Sequence, residues 1–310
     1  MRDVLRRLMG GELTEDEALA QLRRVQLDEL AGRARLDLGR YLRRGIPEVI
    51  LAPGKTPEQV ARLAVAMAGQ HGQGLVSRMT EAHRAALLAA TADMEVVEYA
   101  GAARVMRRGF TPERVEAKVG ILTAGTSDVP AADEARMVVE ACGVETRLEA
   151  DLGVAGLHRF VAPLASMLDW GAEVIVVAAG MDGVLPGLVA GLIDLPVIGL
   201  PVSTGYGRGG AGEAALTTML QSCSTGLTVV NIDNGVGAGT AAVLIAQRRR
   251  RGLTTATTAI TSAAMTGSRN TAATSRATSG PPGSAKTSAS ATTTTNVPTR
   301  SQGKPRRARP

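Results

Sequence analysis

Residues 173–192 read EVIVVAAGMDGVLPGLVAGL, and this stretch decides the fold. Glu173–Ala179 is a run of β-branched and small apolar residues without polar alternation, as in a strand buried on both faces. Gly180-Met181-Asp182-Gly183 breaks that run. A helix is then expected over Leu185–Leu192. A buried strand joined to a helix through a glycine turn is part of a βαβ pattern, which should repeat along the chain.

It repeats on both sides. Upstream, Val119–Gly125 (VGILTAG) reads as a buried strand and Asp133–Ala141 as the helix after it. Thr146–Glu149 and Leu157–Leu168 give the next strand and helix, and Pro196–Pro201 a strand downstream. Residues 203–239, STGYGRGGAGEAALTTMLQSCSTGLTVVNIDNGVGAG, hold a glycine turn and a small-residue helix ending at Cys223. A strand over Leu227–Ile232 and a second glycine turn opening a final helix complete the stretch. The expected fold is α/β, a three-layer αβα parallel sheet of flavodoxin or Rossmann type, with ligands at the carboxyl ends of its strands.

A smaller α/β region precedes this sheet. Residues 1 to about 45 are expected to be helical, with Thr14–Glu17 spaced as a capping box and Leu19, Leu22 and Val25 at helical intervals. Residues 47–52 form a short strand, Thr56-Pro57-Glu58-Gln59 starts a helix, and Gly74–Ser77 and Val96–Tyr99 are further strands. The expected division is an N-terminal region over 1–117, a catalytic domain over 118–247 and a disordered tail over 248–310.

Composition sets the outer bounds. Of 310 residues, 45% are hydrophobic and 2% aromatic, so the core is built from aliphatic side chains and methionine. The net charge of +6 is misleading, because 12 of the 35 Lys and Arg, and none of the 29 Asp and Glu, lie from Arg248 onward. The 23 basic residues left against 29 acidic give residues 1–247 a net charge of −6. Nucleic acid is therefore not an expected partner of the folded part. The Ser-, Thr- and Ala-rich tail has too little apolar surface to pack. No apolar run spans a bilayer, the N-terminus lacks a signal-peptide pattern, and two cysteines make no disulfide framework, so a cytoplasmic protein is expected.

Four loops at the ends of these strands carry side chains capable of chemistry. Gly125-Thr126-Ser127-Asp128 offers hydroxyls and a carboxylate for phosphate or ribose, or else a helix cap. Gly153–Arg159 carries His158, able to move a proton, and Arg159, able to pair with phosphate, though such pairs are also ordinary surface features. Asp182, just past a buried strand, is either a cap or a base. Cys223 lies between the glycine turns containing Gly205, Gly207, Asp233, Asn234 and Gly237, where backbone N–H groups can meet an anion. It is either a small buried hydrophobe or a nucleophile. No Cys/His spacing matches a structural zinc site.

Together these loops resemble the AIR carboxylase (PurE-type) superfamily. Gly125–Asp128, Leu157-His158-Arg159 and Gly180–Gly187 correspond to its nucleotide-lining loops, with Val184 where PurE proteins have histidine. The chain is more similar to the LarB family, in GTSD, GVAGLHR, the GM-acid-G…LP loop, GYG and SCxxG-TVVNIDNGxGAG. Residues 43–50 and 54–59 also match that family's N-terminal region, and the likeness covers residues 1 to about 247.

The resemblance implies carboxylation of the pyridinium ring of nicotinic acid adenine dinucleotide by CO2, with hydrolysis of its phosphoanhydride to release AMP. The product is a pyridinium-3,5-biscarboxylate mononucleotide used in nickel-pincer cofactor synthesis. Cys223 would be the nucleophile, Asp182 the base and His158 a further catalytic residue. Thr126, Ser127, Asp128, Arg159, Gly180, Gly205, Gly207, Asp233, Asn234 and Gly237 would bind substrate. Mg2+ carried on substrate phosphates, no tightly bound organic cofactor, and a homo-oligomer (octamer or smaller) are implied as well. Two other readings stay open at this point: a carboxylase or mutase of purine synthesis, and a non-catalytic nucleotide-binding regulator.

Overall fold

The computed structural model describes residues 2–18, 28–30, 34–36 and 45–248. The strands β7 (Val115–Thr123), β8 (Val144–Glu149), β9 (Val174–Ala179), β10 (Val197–Pro201) and β11 (Leu227–Val229) form one sheet. Their order is β11-β10-β9-β7-β8, and every pairing is parallel. The first strand of this sheet thus has its successor β8 on one side and β9 on the other. The direction of winding reverses between β7 and β9, which makes a crevice at their carboxyl ends.

Helices cover both faces. One face packs α4 (Val129–Ala141) and the final helix α8 (235–248) against Val119, Ile121, Val174, Val176 and Ile198. The other packs α5 (His158–Trp170), α6 (Leu185–Leu192) and α7 (Glu213–Leu220) against Leu122, Ile175, Val177 and Val197. β9 and β10 are buried at every position, as a parallel sheet covered on both faces requires.

A second sheet, ordered β3-β4-β6-β5, joins β3 (Val49–Leu51), β4 (Gln73–Ser77), β5 (Met94–Tyr99) and β6 (Ala102–Arg107). β3 and β4 are parallel and the other pairs antiparallel. Helix α2 (Pro57–His71) starts at a reciprocal Thr56–Gln59 capping box, and α3 (Glu81–Ala90) at a similar Thr80–His83 pair. The C-terminus of α4 meets this sheet. Gln73 Nε2 donates to the Ala141 carbonyl at 2.9 Å, and Arg104 donates to Gln73 at 2.8 Å and to the Glu140 carbonyl at 3.5 Å. A buried cation thus lies at the negative end of a helix, the favourable end for it. Cys142, the C-cap of α4, is also buried there, and burial pushes its thiol up to about 12.

One expectation is corrected. The N-terminal segment is not helical throughout: α1 spans Arg2–Met9, but β1 (Asp28–Leu30) and β2 (Ala34–Leu36) pair antiparallel. The intervening sequence holds Gly32, which costs a helix interior about 1 kcal/mol, so local periodicity there is weak support for a helix. The Thr14–Glu17 capping box is formed by reciprocal bonds of 2.8 and 3.2 Å, while Leu19, Leu22 and Val25 lie outside the described residues. The expected boundary at 117/118 falls inside β7, which starts at Val115 and shifts register between Val115 and Lys118. Almost all of the expected disordered tail lies outside the described residues.

Candidate active site

The crevice between β7 and β9 holds a cavity of about 380 Å³, lined by Gly125, Ser127, Asp128, Gly153, Gly180, Asp182, Thr204 and Tyr206, among others. One buried carboxylate organises it. Asp128 Oδ2 accepts the Gly125 N–H at 2.8 Å, while Oδ1 accepts the Gly180 N–H at 3.2 Å and the Thr204 hydroxyl at 2.8 Å. The loops after β7, β9 and β10 are thereby tied to one side chain. Burial pushes the Asp128 carboxyl above its ordinary value, against the opposing pull of these hydrogen bonds. Gly180 has to be glycine here: a Cβ would sit 2.4 Å from the Thr204 hydroxyl oxygen and 3.1 Å from Asp128 Oδ1.

Asp182 is exposed at the mouth of the same cavity, and its Oδ1 accepts the Val184 N–H at 3.3 Å just ahead of α6. It both ties the turn ahead of the helix and faces the cavity. Met181 and Gly183 on either side have left-handed φ of 50° and 63°. A Cβ at Gly183 would approach the Ala215 carbonyl oxygen to 2.6 Å, so the loop is pressed onto α7 and its course is fixed. Thr126 and Ser127 are exposed in the turn before α4. Gly205 packs over Met181, where a Cβ would lie 3.1 Å from the Met181 nitrogen, and Gly207 turns the chain with φ of 74°.

Cys223 opens elsewhere. Helix α7 ends at Leu220, and the exposed Cys223 lies three residues on, beside a groove of about 480 Å³ whose wall includes Gly183, Val184 and Gly187. Ser224 fixes this segment by donating to the Gly187 carbonyl at 2.7 Å. The loop 180–187 therefore divides two openings, with Asp182 lining one and Gly183 and Val184 lining the other.

The remaining predicted residues are placed differently. His158 and Arg159 begin α5 on the surface and fold back over Gly156, whose Cβ would lie 3.1 Å from His158 Cε1 and 3.3 Å from Arg159 Nε. Arg159 pairs with Asp151 at 3.4 Å, and neither His158 nor Arg159 lines the described cavities. Asn234 caps α8, accepting the Gly237 N–H at 2.9 Å, and Gly237 lies beneath the Asn234 side chain. Gly235 and Gly239, in the same turn, serve helix packing: a Cβ at either would come within 2.5 Å of a carbonyl oxygen of α4. Asp233, with φ of 54°, accepts the Ser203 N–H at 2.8 Å.

Sequence reasoning missed Arg78. It follows β4 with φ of 55°, pairs with the buried Glu134 at 3.5 Å and donates to the Asp233 carbonyl. Its signal was an arginine directly after the apolar strand Gly74–Ser77. No group of three His, Cys, Asp or Glu able to hold a metal occurs among the described residues. No helix among them is long and apolar enough to cross a membrane.

Residues 28–109 match the family described as LarB/PurE-like N-terminal domain, and residues 118–267 that described as AIR carboxylase. An uncharacterized protein of Methanocaldococcus jannaschii is 36% identical over 252 residues, covering 80% of this chain and 97% of its own length. The N5-carboxyaminoimidazole ribonucleotide mutases of Mycobacterium tuberculosis and Thermotoga maritima are 32% and 33% identical. They match 44% and 28% of this chain, and 75% and 51% of their own lengths. These matches support an enzyme of carboxylase or mutase type.

Proposed function

Because the chain belongs to the LarB family of the PurE-like superfamily, we propose that it carboxylates the pyridinium ring of nicotinic acid adenine dinucleotide and hydrolyses its phosphoanhydride. The products are AMP and a pyridinium-3,5-biscarboxylate mononucleotide, the latter used in nickel-pincer cofactor synthesis. The observation that carries this reading is the exposed Cys223 on one side of the 180–187 loop, with the carboxylate of Asp182 on the other.

A mutase substrate of the purine type has an electron-rich carbon that attacks CO2 unaided, whereas a pyridinium ring is electron-poor. Adding the Cys223 thiolate to the ring gives a neutral dihydropyridine whose enamine carbon is nucleophilic. That carbon bonds to CO2, Asp182 takes the proton from the same carbon, and the ring regains aromaticity as the carbon–sulfur bond breaks. One C–H bond is exchanged for one C–CO2 bond and the thiolate is returned. The purine-type reading lacks its histidine, since Val184 stands there, half-buried at the start of α6.

Ser127 and Thr204 hold the substrate in the crevice, beside the N-terminal end of α4 and its positive dipole. His158 and Arg159 in this reading swing from Gly156 toward the substrate phosphate. Mg2+, when bound, offsets phosphate charge. The donor set fits it only as an ion carried mainly by substrate phosphates, since no group of three His, Cys, Asp or Glu gathers among the described residues. Leu188, Leu192 and Leu220 are exposed on the helices flanking the cysteine groove, as are Leu157 just before α5 and Val161 on it, in the same layer. A homo-oligomer, octamer or smaller, buries them in this account and brings the groove into an enclosed site.

The experiment is intact-protein mass spectrometry after incubation with the dinucleotide and bicarbonate. Asp182→Asn keeps the bond to Val184 but cannot take the ring proton. It should accumulate a thiol-linked adduct that Cys223→Ala never forms. Normal turnover by Asp182→Asn would leave Asp182 with the bond to Val184 as its role.

A further inference from the structure

A second cavity, of about 270 Å³, lies between the two larger sheets. Arg78 and Gly101 come to it from the four-stranded sheet, and Ser203 and Asp233 from the loops of the parallel sheet. Ser127 and Thr204 line both this cleft and the switch-point cavity, so the two openings share a wall. Either cavity alone lies near the lower end of the ~300–1,000 Å³ usual for small-molecule sites. Two adjoining cavities with a shared wall suit a ligand built of two nucleotides joined by a phosphoanhydride.

We propose that this inter-sheet cleft is the subsite for the adenylate half of the dinucleotide, and that Arg78 is a substrate-binding residue there. The identity of the ligand rests on the function proposed above; the cleft and its chemistry do not.

Four observations carry the inference. Arg78 is 45% exposed at its side chain and spends two contacts on Glu134 and the Asp233 carbonyl, whereas a guanidinium has five N–H donors. It is thus held by a buried carboxylate and still able to pair with phosphate. Arg78 and Asp233 are non-glycine residues with left-handed φ, of 55° and 54°, and they meet across the cleft. Strained positions of this kind persist where the surroundings enforce them, and they cluster at ligand sites. Asp233 uses Oδ1 for the Ser203 N–H, and its carboxylate suits a ribose hydroxyl, the usual partner of an acid in dinucleotide sites. At Gly101, with φ of 76°, a Cβ would meet nothing within 4 Å, so that rim of the cleft is open.

The relatives fit this division of labour. The mutases are named for a ribonucleotide, a single nucleotide, and they match less than half of this chain. The LarB-type N-terminal match, 28–109, contains both Arg78 and Gly101. The extra sheet therefore supplies one wall of the proposed adenylate subsite.

The test is calorimetric titration of the full chain with AMP, nicotinic acid mononucleotide and nicotinic acid adenine dinucleotide. Arg78→Ala should weaken AMP and the dinucleotide at least tenfold and the mononucleotide by less than twofold. Arg78→Lys should fall between, since it keeps the charge and loses the planar fork. Removing Arg78 leaves Glu134 buried without its cation, so Ser203→Trp, which fills the cleft and spares that pair, is the second variant. It should block AMP and the dinucleotide while leaving the mononucleotide. Wild-type protein that binds no AMP, or AMP binding unchanged in both Arg78→Ala and Ser203→Trp, overturns the subsite. Arg78-dependent AMP binding by a protein that does not carboxylate the dinucleotide keeps the subsite and sinks the reaction instead.

Discussion

Asp128 accepts the Gly180 N–H at 3.2 Å across 52 positions of sequence, joining the loop after β7 to the loop after β9. With Gly125 and Thr204 on the same carboxylate, one side chain fixes the shape of the crevice at the switch point. Asp128→Ala should therefore cost about 1–3 kcal/mol for each buried donor left without an acceptor. Urea unfolding measures the loss. Stability within error of the parent would mean that the three loops hold without the clamp.

The close contact of α8 on α4 predicts a second cost. A Cβ at Gly235 would lie 2.2 Å from the Ala131 carbonyl oxygen, and one at Gly239 2.5 Å from that of Ala135. Backbone cannot yield as a flexible side chain does, so Gly235→Ala and Gly239→Ala should each destabilise by about 1–3 kcal/mol or more. Thermal melts of both variants read this directly.

Glu140 gives a pH dependence with a definite sign. Burial alone would raise its carboxyl, but hydrogen bonds from Tyr99, Arg136 and Thr146 outweigh it and hold the carboxyl below its ordinary value of 4.5. A lowered folded pKa contributes stability that is present above the unfolded pKa and is lost as pH falls through the folded one. The stability difference between the parent and Glu140→Gln should be full at pH 7 and shrink below pH 4.5. A difference that grows on acidification would reverse the assignment.

Exposed Leu192 and Leu220 beside the cysteine groove predict self-association. Light scattering should find an oligomer for the parent, and Leu192→Glu should shift it to smaller species with loss of turnover. A monomeric parent with full activity would remove oligomerisation from the account.

The legibility of the sequence tracked the range of the interactions. The Thr56–Gln59 cap and the helix Leu185–Leu192 were readable, because spacing over three or four residues determines them. The apolar runs around Val119 and Val174 announced a parallel sheet for the same local reason. β6 was missed because Arg104 interrupts AARVMR with a charge, and its partners Gln73 and Glu140 lie 31 and 36 residues away. The site shows the same limit. Glycine turns marked the loops, but whether Asp128 binds ligand or loop depends on Gly180 and Thr204, and Asn234 and Gly237, read as ligand contacts, meet each other in the cap of α8. Arg78 became a candidate only when folding placed it beside Asp233, 155 positions away.

The central claim, ring carboxylation through a cysteine adduct, is tested most directly by product analysis with isotopically labelled bicarbonate. Parent protein, nicotinic acid adenine dinucleotide, Mg2+ and ¹³C-bicarbonate should yield AMP and a mononucleotide carrying one labelled carboxylate. Cys223→Ala should yield no labelled product, while its affinity for the dinucleotide stays nearly that of the parent, because the thiolate acts in the reaction more than in binding. No labelled mononucleotide from the parent, or the same amount from Cys223→Ala, would contradict the account.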